Sequence, residues 1–550
     1  MIIIEITFFT LLSLILIFSL FGLGKLLVKK KNENFFESVF FGFIVISFLI
    51  TFIHFFIEIN FYVSLAIIIF GFLYGLKNFS FSKKIIKKNY IIYFLIFLIL
   101  IPIYISQKYH EDFGYYHLPY IINIINEKII FGLANVNRAF VHNSIWLNLM
   151  PVFYFKDNYN FVTLPTFIIY FTFIIFSFSQ IIKKENKISS FFLIVSIFYL
   201  VIKFTRISEF GNDIPAVSFS ILSIYYFFKF IEEEQLKRKN NYFFNNFSFA
   251  TFAILIKFSS IPVIILTFYL FFKNYKILKN NIYKPNYLFI YSLGLIFFIQ
   301  QFIYTGCFIF PSKLTCLDVS WFDQYFLSSK NRLELVNKSY FATARDILSE
   351  EEYLRNFNWI PYWFKRNYLG ILEHLATMII PLAIFLMILK KKFNQKILIF
   401  KELKFFTFFI LVGFVFWFNF SPVYRFGIIY FLSLIFLITL FIYSGKTFSK
   451  KIFINFIFIF LIFNFSKNII RISNEEKIFL GIKKIENNFI PNTHYENNLV
   501  KVFQPDIEAN EKKGNGWQGR LCWDIKFLCT KNKIMINKKN NYFIIQKLRN

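Results

Sequence analysis

The stretch IIIEITFFTLLSLILIFSLFGLGKLLVKKKN, residues 2–32, decides the fold class. A long apolar run carrying one carboxylate, Glu5, is closed by Lys25, Lys29, Lys30 and Lys31. About 20 apolar residues is the length a helix needs to cross the hydrocarbon core of a bilayer. The run has no basic leader and no small-residue cleavage site, so it reads as a retained first span and not as a removed signal peptide.

The same unit recurs along the chain. Lysine-rich connections appear at GKLLVKKKN (24–32), KNFSFSKKIIKKN (77–89), IIKKENK (181–187), EEEQLKRKN (232–240), KNYKILKN (273–280), KKKFNQK (390–396) and GKTFSKK (445–451). The 550 residues are 57% hydrophobic, with 87 Phe and 32 Tyr, and the mean hydropathy is +0.55. Such a chain needs lipid as solvent for most of its surface. The net charge of +30 would suggest nucleic acid in a soluble protein. Here the lysines sit in short connections between spans, where positive charge sets topology, so no nucleic-acid partner is expected.

Placing those connections on the cytoplasmic side predicts spans at 2–23, 35–57, 60–76, 90–106, 161–182, 188–204, 214–231, 287–303, 369–389, 405–419, 425–443 and 452–467. The stretch 247–272 has lysine-rich connections on both sides, so it must leave and return to one face. It breaks at Lys257-Phe-Ser-Ser-Ile-Pro262, where proline ends a helix. The expected fold is an all-α polytopic membrane protein of about 12–14 transmembrane helices. A transmembrane domain over 1–467 would carry external loops at 107–160 and 304–368. A small external α/β subdomain would follow at 468–550. All four cysteines, Cys307, Cys316, Cys522 and Cys529, fall on the external side, which implies a disulfide-permissive compartment and candidate bridges.

Ionisable chemistry concentrates on that side. In HEDFGYYHLPY (110–120), Glu111 and Asp112 leave a span end and precede an amphipathic segment, YYHLPYIINIINE, expected to lie as an interfacial helix. A half-desolvated carboxylate beside Tyr116, His117 and His142 suits a general base or a metal ligand. It equally suits a helix cap, and the residues alone leave both readings standing. RISEFGNDIPAV (206–217) brings Arg206, Glu209 and Asp213 to another exit on the same face. Lys257 inside an apolar stretch is costly unless it faces a polar cavity or snorkels. Arg425 in FWFNFSPVYRFGIIY (416–430) stands where a guanidinium could clamp a phosphate or reach lipid headgroups. Glu373 and His374, inside a predicted span, carry no assigned role. No phosphate-binding loop, dinucleotide fingerprint, HExxH or GxSxG occurs in the sequence, which argues against ATP-driven transport by this chain alone.

DFGYYHLPYI, RISEFGNDIPA, SPVYRFG and CWDIKFLCT, together with an acidic motif in the first large external loop, resemble the GT-C superfamily of integral-membrane glycosyltransferases. The resemblance covers roughly 107–530 and is narrowest with a largely uncharacterised bacterial multi-pass subfamily. It implies transfer from a polyprenyl-phosphate-linked sugar donor to a lipid- or glycan-linked acceptor, on the periplasmic face of a bacterial inner membrane. Asp112 would be the catalytic base, Glu111 the second candidate, and His117 and His142 would orient an acceptor hydroxyl or leaving phosphate. Arg206, Glu209, Asp213, Lys257, Arg425 and Tyr116 would bind substrate and its phosphate. A divalent cation, Mg or Mn, would sit at Asp112 or Asp213 if present. The sequence has EDFGYYH where many GT-C enzymes carry a DxD or DE pair, which leaves metal dependence open. One base fits an inverting transfer, unlike the two carboxylates of glycoside hydrolases. A flippase or transporter of lipid-linked sugars would instead need polar residues at mid-depth and an internal repeat. An O-antigen ligase or polymerase-like enzyme would need arginine and histidine in a late external loop, and 304–368 holds no histidine.

Overall fold

The computed structural model describes residues 2–28, 34–79, 83–106, 112–155, 159–183, 187–204, 211–323, 333–391, 402–443, 446–447, 450–474, 491–497, 500–505, 528–530 and 534–548. Among these, nine helices are long and apolar enough to cross a membrane, and four shorter apolar helices accompany them. The protein is a multi-pass α-helical membrane protein.

In chain order the principal helices are α1 (Ile2–Leu27), α2 (Phe35–His54), α3 (Phe61–Asn78), α4 (Lys83–Ile105), α5 (Leu118–Asn126), α6 (Ile145–Leu149), α7 (Leu164–Lys183) and α8 (Ile188–Lys203). There follow α9 (Asp213–Glu232), α10 (Leu236–Ile256), α11 (Ile264–Lys273), α12 (Pro285–Thr305), α13 (Trp359–Ile388), α14 (Glu402–Phe420), α15 (Ile428–Tyr443) and α16 (Lys450–Ser473). The predicted spans match these helices, except that several are longer than expected: α4 begins at Lys83 and α10 at Leu236, both inside lysine-rich connections. Helix α13 begins at Trp359, in the NWIPYWF segment expected to be loop, and α16 continues to Ser473. Both extensions are amphipathic starts or ends that a hydropathy boundary cuts off too early.

Helices α7 and α9 are enclosed by the others, whereas α3 and α16 leave most of their residues outward. Close helix approach is set by glycine in the first three spans. A Cβ on Gly24 would fall 1.8 Å from the Ser38 carbonyl oxygen, and one on Gly42 would fall 2.0 Å from that of Leu20. Small residues let α1 and α2 meet backbone to backbone, the usual way helices associate within lipid.

The helix ends sort into two groups. At the lysine-rich end, β1 (Lys390–Lys391) pairs antiparallel with β2 (Lys446–Thr447), Asn286 Nδ2 donates to Leu27 O at 3.1 Å, and Lys273 pairs with Glu402. At the other end, Ser106 Oγ donates to Asn468 Oδ1 at 2.7 Å. There too Ile129 N donates to the His54 carbonyl and Gly132 N to that of Ile303. That second end gathers the loop 107–160, the start of α9 and the tail, as the lysine pattern predicts.

Only part of the expected α/β tail lies among the described residues. Its described residues beyond α16 form strands and no helix. Strands β3 (Pro491–Asn497) and β4 (Val500–Pro505) pair antiparallel, and β5 (Leu528–Cys529) adds in parallel. A hairpin follows, β6 (Ile534–Lys539) with β7 (Tyr542–Lys547). Its two-residue turn is Asn540-Asn541, with φ of 48° and 63°, the left-handed pair that matches strand twist in tight hairpins. The hairpin docks on the first loop. Phe131 N donates to Phe543 O, Ile545 N donates to Phe131 O, and Thr530 Oγ1 donates to Val136 O at 2.8 Å. Phe131 thus extends the sheet by one short strand.

A further correction concerns the loop itself. The predicted interfacial helix is α5, preceded by a π-helical turn, Phe113–His117. Its residues Leu118, Tyr120, Ile121, Ile122 and Ile124 are buried in protein, so α5 is a core element and not a surface helix. Its apolar stripe faces neighbouring helices, a partner that periodicity cannot distinguish from lipid.

Candidate functional site

Three elements deliver charge to one point at the loop end. Helix α9 starts at Asp213. Helix α10 ends at Ile256, and Lys257 is extended, with φ −154° and ψ 121°. The break expected at Lys257–Pro262 is present as a short 3-10 turn, Phe258–Val263, before α11. Between α14 and α15, a 3-10 turn Tyr424–Phe426 carries Arg425.

Backbone anchors hold these turns. Ser144 Oγ donates to the Ile256 carbonyl at 2.8 Å, satisfying one of the acceptors a helix end leaves open. Tyr430 OH donates to Ser259 O at 2.6 Å. Trp363 Nε1 donates to Pro422 O and Trp417 Nε1 to Val423 O, both at 2.8 Å. The Ser421-Pro422-Val423 bend ahead of Arg425 is therefore clamped by two indoles.

At the meeting point Lys257 Nζ pairs with Asp213 Oδ1, and Arg425 Nε lies 3.5 Å from Asp213 Oδ2. Lys257 Nζ also sits 3.4 Å from the centroid of the Phe426 ring, a cation–π contact that favours a desolvated ammonium. Asp213 and Lys257 side chains are about a fifth exposed, while Arg425 is 49% exposed. The Asp213 carboxylate, in the first turn of α9, thus faces two cations.

Asp112 opens the π-helical turn with helical backbone angles, and its side chain makes no capping hydrogen bond. The carboxylate acts electrostatically on Tyr116 and His142. Tyr116 in turn lies in the fields of Arg425 and Asp213, and His117 in that of Asp213. Asp112, Tyr116, His117, His142, Asp213, Lys257 and Arg425 therefore belong to one neighbourhood. Burial, and next the Asp112 charge, push the Tyr116 phenol up, so Tyr116 stays a hydrogen-bond donor. Surrounding protein holds the His142 imidazole below its ordinary range, with Asp112 opposing. The His142 side chain is nevertheless solvent-exposed. His117, in contrast, is 5% exposed.

Glu111, Arg206, Glu209, Cys522 and the side chain of Cys529 lie outside the described residues. Cys307 and Cys316 are bridged. Among the described residues no three His, Cys, Asp or Glu side chains converge as metal ligands, and Asp213 is paired with two cations.

Two groups of residues supporting the site carried no assigned role in the sequence reading. Tyr199 OH and His374 Nδ1 are 2.6 Å apart, and the His374 ring lies 4.5 Å from that of Tyr424, next to Arg425. Below the loop, Tyr120 OH donates to Asn148 Oδ1 at 2.6 Å. Asn148 Nδ2 donates to Gln300 Oε1 at 2.6 Å, and Gln300 Nε2 to Tyr304 OH at 3.1 Å. Gln300-Gln301 inside an apolar span was the signal available for this network, because an amide there must find a partner.

With this geometry in hand, the comparisons decide the family. The family described as "Domain of unknown function (DUF8201)" matches residues 1–432. The chain belongs to this family. No curated protein and no solved structure matches it. Every charged residue of the site just described lies within the DUF8201 match, whereas the tail that clamps the loop lies beyond it.

Proposed function

We propose that this DUF8201 protein is a membrane glycosyltransferase of GT-C type. It moves a sugar from a polyprenyl-phosphate-linked donor to a lipid- or glycan-linked acceptor, with inversion, at the periplasmic face of a bacterial inner membrane. Asp112 takes the proton of the acceptor hydroxyl. That oxygen bonds the anomeric carbon as the carbon–oxygen bond to phosphate breaks, and polyprenyl phosphate leaves with the electron pair. Lys257 and Arg425 offset the charge that develops on the phosphate. Asp213 holds both cations in place, and Tyr116 and His142 donate to substrate oxygens. No step is assigned to a divalent cation.

The observation carrying this reading is that the Asp112 carboxylate shares a neighbourhood with the Lys257–Asp213–Arg425 cluster, at the helix ends opposite the lysines. The Cys307–Cys316 bridge at that end supports an oxidising, external compartment. Nine long and four shorter apolar helices support about 12–14 crossings.

The test is transfer by the purified full-length chain in proteoliposomes supplied with polyprenyl-phosphate sugars, with and without chelator. A new glycosidic bond of inverted anomeric configuration supports the proposal. Movement of intact lipid-linked sugar across the bilayer, without a new bond, replaces it with a flippase. Release of free sugar alone replaces it with a hydrolase.

A further inference from the structure

Immediately after α12 the chain forms a loop closed at its base by the Cys307–Cys316 bridge. Gly306, at φ +82°, reverses the chain, a conformation that favours glycine. Phe308 then stacks on Phe302, with ring centroids 4.7 Å apart and planes 14° from parallel. Phe302 lies about one turn inside the helix end, so the loop folds back along α12 and does not project away from it. Phe308 N donates to Thr315 O, and Leu317 N to Gly306 O, which with the bridge makes the loop rigid.

Its two sides differ in an unusual way. Phe310 is buried and packs with Ala134 and Val141 of the first external loop. Outward, Leu314 is 97% exposed and Leu317 52%, with Ile309 beside them at 44%. Loop tips in contact with water are normally polar, and aliphatic side chains held outward on a cross-linked loop mark a contact surface. The occupant follows from continuity: Leu288, Tyr291 and Leu295 of α12 are exposed on the same span, where the surrounding medium is lipid. Lys313 stands next to Leu314, a basic group where a bilayer presents phosphate.

We propose that loop 307–316 is an interfacial anchor. Ile309, Leu314 and Leu317 enter the boundary between headgroups and acyl chains, and Lys313 reaches the headgroup phosphates. Through Phe310, which packs on Val141, the anchor also fixes the depth of the turn that ends at His142. This inference rests on the membrane fold and not on the transfer reaction.

The experiment places trifluoromethyl-phenylalanine at position 314 in the full chain, in phosphatidylglycerol-containing nanodiscs, with position 540 at the hairpin turn as control. Fluorine relaxation is compared between a headgroup-spin-labelled lipid and a water-soluble gadolinium chelate. The expected result is several-fold stronger broadening by the lipid label at 314 and by the chelate at 540. Equal chelate broadening at both positions overturns the proposal, because the loop is then in water. Weak broadening by both agents at 314 also overturns it and points to a protein partner covering the loop.

Discussion

Arg425 Nε and Asp213 Oδ2 lie 3.5 Å apart, although they come from a turn before α15 and the first residue of α9. Lys257 takes the other carboxylate oxygen. One acid thus ties three separate chain segments together where the spans end, and two cations share one counter-charge.

Asp213→Asn leaves Lys257 and Arg425 facing each other without their carboxylate. The expected cost is about 1–3 kcal/mol, seen as a lower Tm in detergent. Adding Lys257→Met should recover part of that loss, because the two residues form one unit. Strict additivity of the two substitutions would show that the pair is not coupled.

Stability should carry a pH signature from His142. Its folded-state value lies below the ordinary one, near ~6.5, because surrounding protein disfavours the charged form. The unfolded chain therefore binds the proton more readily. The stabilising contribution is complete above that ordinary value and declines as pH falls below it. A scan of Tm from pH 7.5 to 5 should drop more steeply for the wild type than for His142→Gln. Asp112→Asn removes the opposing charge and should steepen the wild-type drop. Parallel scans for wild type and His142→Gln would exclude the linkage.

The tail should protect the first loop. Ile545 is fully buried and its amide is bonded to Phe131, so Ile545→Asp should free the hairpin. Hydrogen exchange of peptides covering Phe131–Val136 is expected to speed at least tenfold, about 1.4 kcal/mol, while α7 and α9 stay protected. Unchanged exchange in that segment would mean the docking contributes nothing to its order.

Cys307 and Cys316 should resist alkylation in intact membranes until a reductant is added. Replacing both by serine should lower stability by about 2–3 kcal/mol, the entropic worth of a short cross-linked loop. Rapid labelling without reductant would contradict an oxidising compartment at this end.

How much of this was legible in the sequence depends on range. The spans were legible because apolar length and lysine placement are local signals, and Pro262 marks its own break. Asp213, Lys257 and Arg425 were each conspicuous as charges at apolar span ends, which is a one-residue observation. Their pairing was reachable only through parity of the spans. The Tyr199–His374 bond and the docking of Ile545 on Phe131 join segments remote in sequence, and nothing local announces them. Helix α5 was read correctly as helical and wrongly as superficial, because an amphipathic stripe records that a face is covered but not by what.

The most direct test of the central claim is Asp112→Asn, assayed for transfer and for Tm on the same preparation. Transfer should fall roughly 10²- to 10⁴-fold, as a lost general base requires, well beyond any loss of folded protein that the Tm reports. Full transfer in the variant, or a loss of transfer that only parallels unfolding, would contradict the account.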